Sequence, residues 1–155
     1  MFPKTHFLLG ILFVICLYVF FYPLISIFGL LIIFLSSVFI DIDHYFYYIF
    51  RKKDLNPFRA HEWYIKNMRR FHSLDKKQMK NFYLGFYFLH GIESLIILFL
   101  LGIYLSPIFN FILIGFLFHL IMDFIAEVIF EQRIDKISFI YNILTFGKLI
   151  NIDTI

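Results

Sequence analysis

Between His6 and Ile40 the chain contains no Lys, Arg, Asp or Glu, a run long enough for two membrane spans if a turn divides it. Pro23, in Phe20-Phe21-Tyr22-Pro23, supplies the turn, because proline ends or kinks a helix. The first span then covers roughly residues 6–21 and the second 24–44. The first resembles an uncleaved signal-anchor: Lys4 precedes the apolar run and no small-residue cleavage site follows it. Beyond Asp41, Asp43 and His44 the apolar character resumes to Phe50, and only then comes Arg51-Lys52-Lys53. Two further spans, roughly 82–105 and 108–130, meet at Ser106-Pro107. No Lys or Arg occurs between Lys80 and Arg133. The pattern predicts an all-α membrane protein of about four transmembrane helices, forming one integral membrane domain over 1–155.

The segment 51–80 has a different rhythm. Asn56-Pro57 reads as an N-cap followed by proline at the first helical position. Beyond it Tyr64, Ile65, Met68 and Phe71 fall on one face, and Arg59, Glu62, Lys66, Arg69 and Arg70 on the other. With Trp63 at its flank, this predicts an amphipathic helix on the membrane surface.

Composition agrees with the pattern. Hydrophobic residues make up 61% of 155, with 24 Phe, and mean hydropathy is +0.83. A soluble domain of this length could not hide so much apolar surface in one core. The single Cys16 excludes an intramolecular disulfide. Ten of the 14 Lys and Arg lie between Arg51 and Lys80, the others being Lys4, Arg133, Lys136 and Lys148. In a four-span arrangement all of them share one side, so the positive-inside rule predicts cytoplasmic termini, a cytoplasmic loop at 51–80 and a cytoplasmic tail at 131–155. The basic helix lies close to two spans, which favours membrane lipids as partners and argues against nucleic acid.

The residues that carry chemistry are those out of place in apolar spans: Asp41, Asp43 and His44 in the second, His90 and Glu93 in the third, His119, Asp123 and Glu127 in the fourth. A carboxylate at the centre of a span costs roughly 2.5–3.5 kcal/mol on insertion scales. No Lys or Arg of the last two spans offsets that cost, whereas histidines stand beside the carboxylates in every case, which favours a bound cation. Asp41, His90 and Asp123 each lie ten positions from a basic boundary residue, about 15 Å at the helical rise. His119, Asp123 and Glu127 follow i, i+4, i+8, and His90–Glu93 and Asp41–His44 follow i, i+3, so three helices can direct imidazole and carboxylate to one point. His6 and His72 lie where they could reach the same mouth. Against this, Asp41, Asp43 and His44 could simply mark a helix end at the interface.

Taken in order, Thr5-His6, Ile40-Asp41-Ile42-Asp43-His44, Phe71-His72-Ser73 and Gly115-Phe-Leu-Phe-His119-Leu-Ile-Met-Asp123 resemble a family of small bacterial and archaeal membrane-bound, metal-dependent hydrolases. Some of these are known as SOS-regulated inner-membrane hydrolases, a family linked by its His/Asp pattern to zinc-dependent phospholipases C. The likeness covers most of the chain through short motifs. It departs from the family in having Ile40 where a proline is usual, and in keeping only Arg70-Phe71-His72-Ser73 of a longer His-Arg-Gly-x-Thr-His-Ser run. His90-Gly91-Ile92-Glu93-Ser94 is an alternative remnant of that run, so His72 and His90 both stand as its ligand.

The resemblance implies a hydrolase acting on a phosphoester of a lipid or other anionic substrate near the cytoplasmic leaflet. A divalent metal, zinc before manganese or iron, would be held by His119 and Asp123, completed by Asp41 and His90, with His44, His72 and His6 as further candidate ligands. Asp43 or Glu93 would act as general base or orient a ligand histidine. Intramembrane His and Asp also build metal or proton carriers, and hydrogen-bonded polar residues also join helices in purely structural proteins.

Overall fold

The computed structural model describes residues 3–131 and 137–154, and these are predominantly helical. Helix α1 (Pro3–Phe21) ends before a turn at Tyr22-Pro23. Helix α2 (Ile27–Phe39) starts where the Ser26 hydroxyl accepts a hydrogen bond from Gly29 N at 3.1 Å, an N-cap that satisfies one otherwise unpaired helix donor. After a break at Ile40-Asp41, α3 (Ile42–Lys52) follows. Helix α4 (Pro57–His72) begins at the expected N-cap, with Asn56 Oδ1 accepting from Phe58 N and Arg59 N. A four-residue α5 (Lys76–Met79) leads to β1 (Phe82–Tyr83); α6 (Ile92–Tyr104) and α7 (Ile108–Ala126) follow, and a π-helical turn, Glu127–Glu131, extends α7. Helix α8 (Phe139–Phe146), β2 (Ile150–Asn151) and a 3₁₀ turn (Ile152–Thr154) close the described chain.

By length and composition three helical stretches could cross a membrane: Lys4–Phe21, the kinked pair Ile27–Lys52, and Ile108–Ile129. Large apolar side chains such as Leu8, Val19, Phe20, Phe28, Ile97 and Ile103 stand exposed along α1, α2 and α6, as expected of surfaces whose surroundings are as apolar as the interior. The third expected span differs from its prediction. Of residues 82–105 only the 13 residues of α6 are helical, about 20 Å at 1.5 Å per residue against a hydrocarbon layer of roughly 30 Å. Residues 84–91 run without regular structure. The second expected span is also interrupted, at Ile40-Asp41, and its helical course extends to Lys52 rather than stopping at residue 44.

Small residues let the central helices meet. Gly29, Leu30, Ile33, Ser36 and Ser37 form one buried face of α2, and Gly115, His119 and Asp123 one buried stripe of α7. A Cβ at Gly115 would stand 2.5 Å from the Ile33 carbonyl oxygen and 2.9 Å from Ser37 N, so only glycine allows this approach. Phe13 of α1 stacks on Phe118 of α7 at 4.0 Å.

The amphipathic helix is present as α4, but its inner face is docked on protein. Ala60, Asn67, Met68 and Phe71 are buried, and Phe71 joins Met79 and Ile152 in a small core covered by Leu74, Phe82 and Leu84. The tail folds back rather than trailing away: β2 pairs in parallel with β1, and Asp153 accepts from Trp63 Nε1 at 2.7 Å and pairs with Lys52 Nζ at 2.7 Å. Arg133 and Lys136, used to orient the chain, lie outside the described residues.

Candidate metal centre

The break after α2 has a direct chemical consequence. A helix leaves its last carbonyls without intrahelical partners, and Ser37 O receives His119 Nδ1 at 2.7 Å. On α3, Asp43 lies in the first turn, where the helix dipole favours a carboxylate. Its Oδ2 accepts from Leu89 N at 3.0 Å and faces His90 Nδ1 at 2.9 Å, and its Oδ1 faces His44 Nδ1 at 2.7 Å. Thus the irregular segment before α6 is pinned by Asp43, and His90 is turned inward by it.

Since a carbonyl and a carboxylate can only accept, His119 and His90 both carry their proton on Nδ1 in the neutral state. The Nε2 lone pairs are then left pointing at one another, 3.2 Å apart. Two carboxylate oxygens join them. Asp41 Oδ1 lies 3.3 Å from His90 Nε2 and 3.5 Å from His119 Nε2, and Asp123 Oδ2 lies 3.7 and 3.6 Å from the same atoms. In that neutral state two imidazole lone pairs and two carboxylate oxygens face a common space. His90, His119 and Asp123 are buried and Asp41 is partly exposed, so water cannot screen the assembly from all sides.

Each of these distances is of the size found between two ligands of one ion. With bonds of about 2.0–2.1 Å, zinc's tetrahedral ligands stand roughly 3.3–3.4 Å apart, and the five separations here span 3.2–3.7 Å. Three overlapping donor groups can be drawn: His6, Asp41 and His119; Asp41, His44 and His90; and His90, His119 and Asp123. His6 brings Nε2 within 3.0 Å of Asp123 Oδ1 and stacks on His119 at 3.9 Å. His44 lies against Tyr87, ring on ring at 3.8 Å, with Tyr64 edge-on at 4.8 Å. Its Nε2 is buried without a hydrogen-bond partner.

Of the residues singled out in the sequence, His6, Asp41, Asp43, His44, His90, His119 and Asp123 come together. Two do not. His72 is exposed at the end of α4 and belongs to none of the donor groups, so of the alternatives His72 and His90 it is His90 that the fold brings to the cluster. Glu93 turns away because α6 starts only at Ile92, which breaks the i, i+3 relation to His90. Its carboxylate accepts from the Ser138 hydroxyl, Phe139 N at 3.1 Å and Ile140 N at 3.2 Å, at the start of α8. Asp43 is completely buried with both oxygens engaged, which suits it to orienting His90 and not to meeting a substrate. Glu127 is buried one turn beyond Asp123, outside the donor groups.

Sequence reasoning missed Ser37, Tyr87 and the cleft that reaches the cluster. The Ser36-Ser37 pair inside an apolar run was the available signal for the first; Tyr87 is one aromatic among many. Compared with family models, curated proteins and solved structures, the chain matches none.

Proposed function

We propose that this protein is an integral membrane hydrolase that uses a divalent metal, zinc before manganese or iron, to cleave a phosphoester of a lipid or other anionic substrate. The observation that carries this reading is that His90 Nε2 and His119 Nε2 lie 3.2 Å apart, that Asp41 Oδ1 and Asp123 Oδ2 each stand 3.3–3.7 Å from both, and that both Nδ1 atoms are already engaged. These four would hold the ion, with His6 and His44 as further candidate donors. When bound, a divalent ion supplies Lewis-acid polarisation and makes water nucleophilic near neutral pH.

The chain's own groups do the rest. Asp43 holds His90 in the tautomer that presents Nε2, and the Ser37 carbonyl does so for His119, roles that raise ligand basicity and fix ring orientation. Asp41, the least buried of the four, faces the cleft between α3 and α4 and is the group a substrate meets first. The resemblance to membrane-bound metal-dependent hydrolases points the same way, and the reading takes α6 with the irregular segment before it as the third of four crossings. The basic residues favour a cytoplasmic cleft with both termini on that side.

Metal analysis of the detergent-purified protein tests the reading. The wild type is expected to hold a stoichiometric divalent ion and to show chelator-sensitive phosphodiesterase activity, and both His119→Ala and Asp123→Ala to lose the ion. Retention of metal by both variants would refute the centre. Metal flux through proteoliposomes would turn the reading toward a carrier.

A further inference from the structure

Helix α4 lies between a cleft that reaches Asp41 and a basic outer groove, and one side chain lines both. The cleft between α3 and α4, of about 200 Å³, has Asp41 and His44 at its inner end and Tyr45, Pro57, Ala60, Tyr64 and His61 as walls. A shallower groove of about 440 Å³ runs along the outside of α4, lined by His61, Glu62, Ile65, Lys66, Arg69 and Arg70. His61 is common to the two.

We infer that the α3–α4 cleft receives a phosphate-bearing group and that His61 binds it at the entrance, between the cations outside and the donor cluster within. The inference rests on the hydrolytic centre proposed above and names the group that enters it. Three cations against Glu62 make the outer groove attractive to an anion. The inner end, by contrast, presents Asp41, and a negative group advancing toward it needs a donor at the entrance. His61 is exposed and occupies that place.

Size and surroundings narrow the occupant. The cleft is below the roughly 300–1,000 Å³ of pockets that enclose whole drug-sized ligands, so it has room for a phosphate and a small esterified group but not for acyl chains. Leu55 and Phe58, beside Pro57 at the cleft wall, are 71% and 81% exposed and present an apolar edge next to the entrance. A lipid headgroup could therefore enter with its chains left outside, and a soluble phosphoester offers the same chemistry.

The full-length protein in detergent is titrated with inorganic phosphate by isothermal titration calorimetry, and metal content is measured on the same sample. Saturable binding is expected, weakened about tenfold in His61→Ala, as befits loss of one charge-assisted hydrogen bond, and less in His61→Gln. In turnover, KM should rise and kcat hold. Nanodiscs containing phosphatidylglycerol, compared with phosphatidylcholine alone, identify the source: displacement of phosphate by the anionic bilayer assigns the cleft to a headgroup, and displacement by glycerol 3-phosphate alone assigns it to a soluble ester, both in support. Unchanged phosphate affinity in metal-replete His61→Ala overturns the inference and leaves the metal centre standing. A wild type without metal removes the centre and this inference with it.

Discussion

Replacing Asp43 by Asn alters charge while preserving shape, at a residue that accepts from Leu89 N, His90 Nδ1 and His44 Nδ1 at 3.0, 2.9 and 2.7 Å. The amide oxygen can keep the first two partners. The amide NH2 then faces His44 Nδ1, which accepts if that ring carries its proton on Nε2. The fold should survive, and the loss is the negative charge behind His90. A hydrogen bond to a charged group is worth about 1.5–3 kcal/mol against about 0.5–1.5 for a neutral one. The difference, about 1–1.5 kcal/mol, predicts a rise in metal Kd of about tenfold, at the lower edge of the 10–100-fold range known for partners of ligand histidines. Competition with a chromophoric chelator in detergent measures it, with thermal unfolding of the metal-free protein as the control. An affinity within about twofold of wild type would show that Asp43 does not polarise His90. Loss as complete as that of His119→Ala would make Asp43 a direct ligand.

Three further outcomes follow from the fold. Gly115→Ala places a Cβ against the backbone of α2 and should destabilise by about 1–3 kcal/mol, seen as a lower Tm; a raised Tm, the ordinary effect of alanine in a helix, would refute the close approach. Glu93→Ala removes three hydrogen bonds at the start of α8 and should increase proteolysis of the C-terminal segment while metal content stays at the wild-type value. Burial alone pushes the Asp153 carboxyl up, but the Lys52 ammonium and the Trp63 N–H outweigh it and hold the group below the usual carboxylate range. With a folded-state pKa below an unfolded value of about 3.9, its contribution is present above that value and is lost as pH falls through the folded-state pKa. Trp63 emission should therefore change on acidification, and Asp153→Asn should remove that acid transition.

What the sequence revealed depended on whether a residue's role was local. The start of α4 at Asn56-Pro57 and the His119–Asp123 pair one turn apart on α7 follow from chemistry within a few positions, and both were legible. The irregular segment 84–91 was not, because an apolar stretch reads alike whether helical or not; the break at Ile40-Asp41 was visible only as the helix end that Asp41, Asp43 and His44 offered as an alternative. Gly85 and Gly91, flanking His90, were the only local hints. Glu93 illustrates the same limit: its spacing from His90 implied a shared face only if the helix ran through both. The parallel pairing of β1 with β2, 68 positions apart at Phe82 and Ile150, leaves no periodic trace in so short a strand, and so the tail's return onto α3 and α4 was missed.

The interrupted backbone also bears on how moisture reaches the interior. Peptide groups outside regular helices are tolerated at membrane depth only where protein encloses them or an aqueous cavity bathes them. Both discontinuities, at Ile40-Asp41 and over residues 84–91, adjoin the donor cluster, and Asp41 opens onto the cleft. A hydrolytic reaction consumes a molecule that lipid tails exclude. On the proposed reading, this irregularity provides the corridor through which that reactant is replenished.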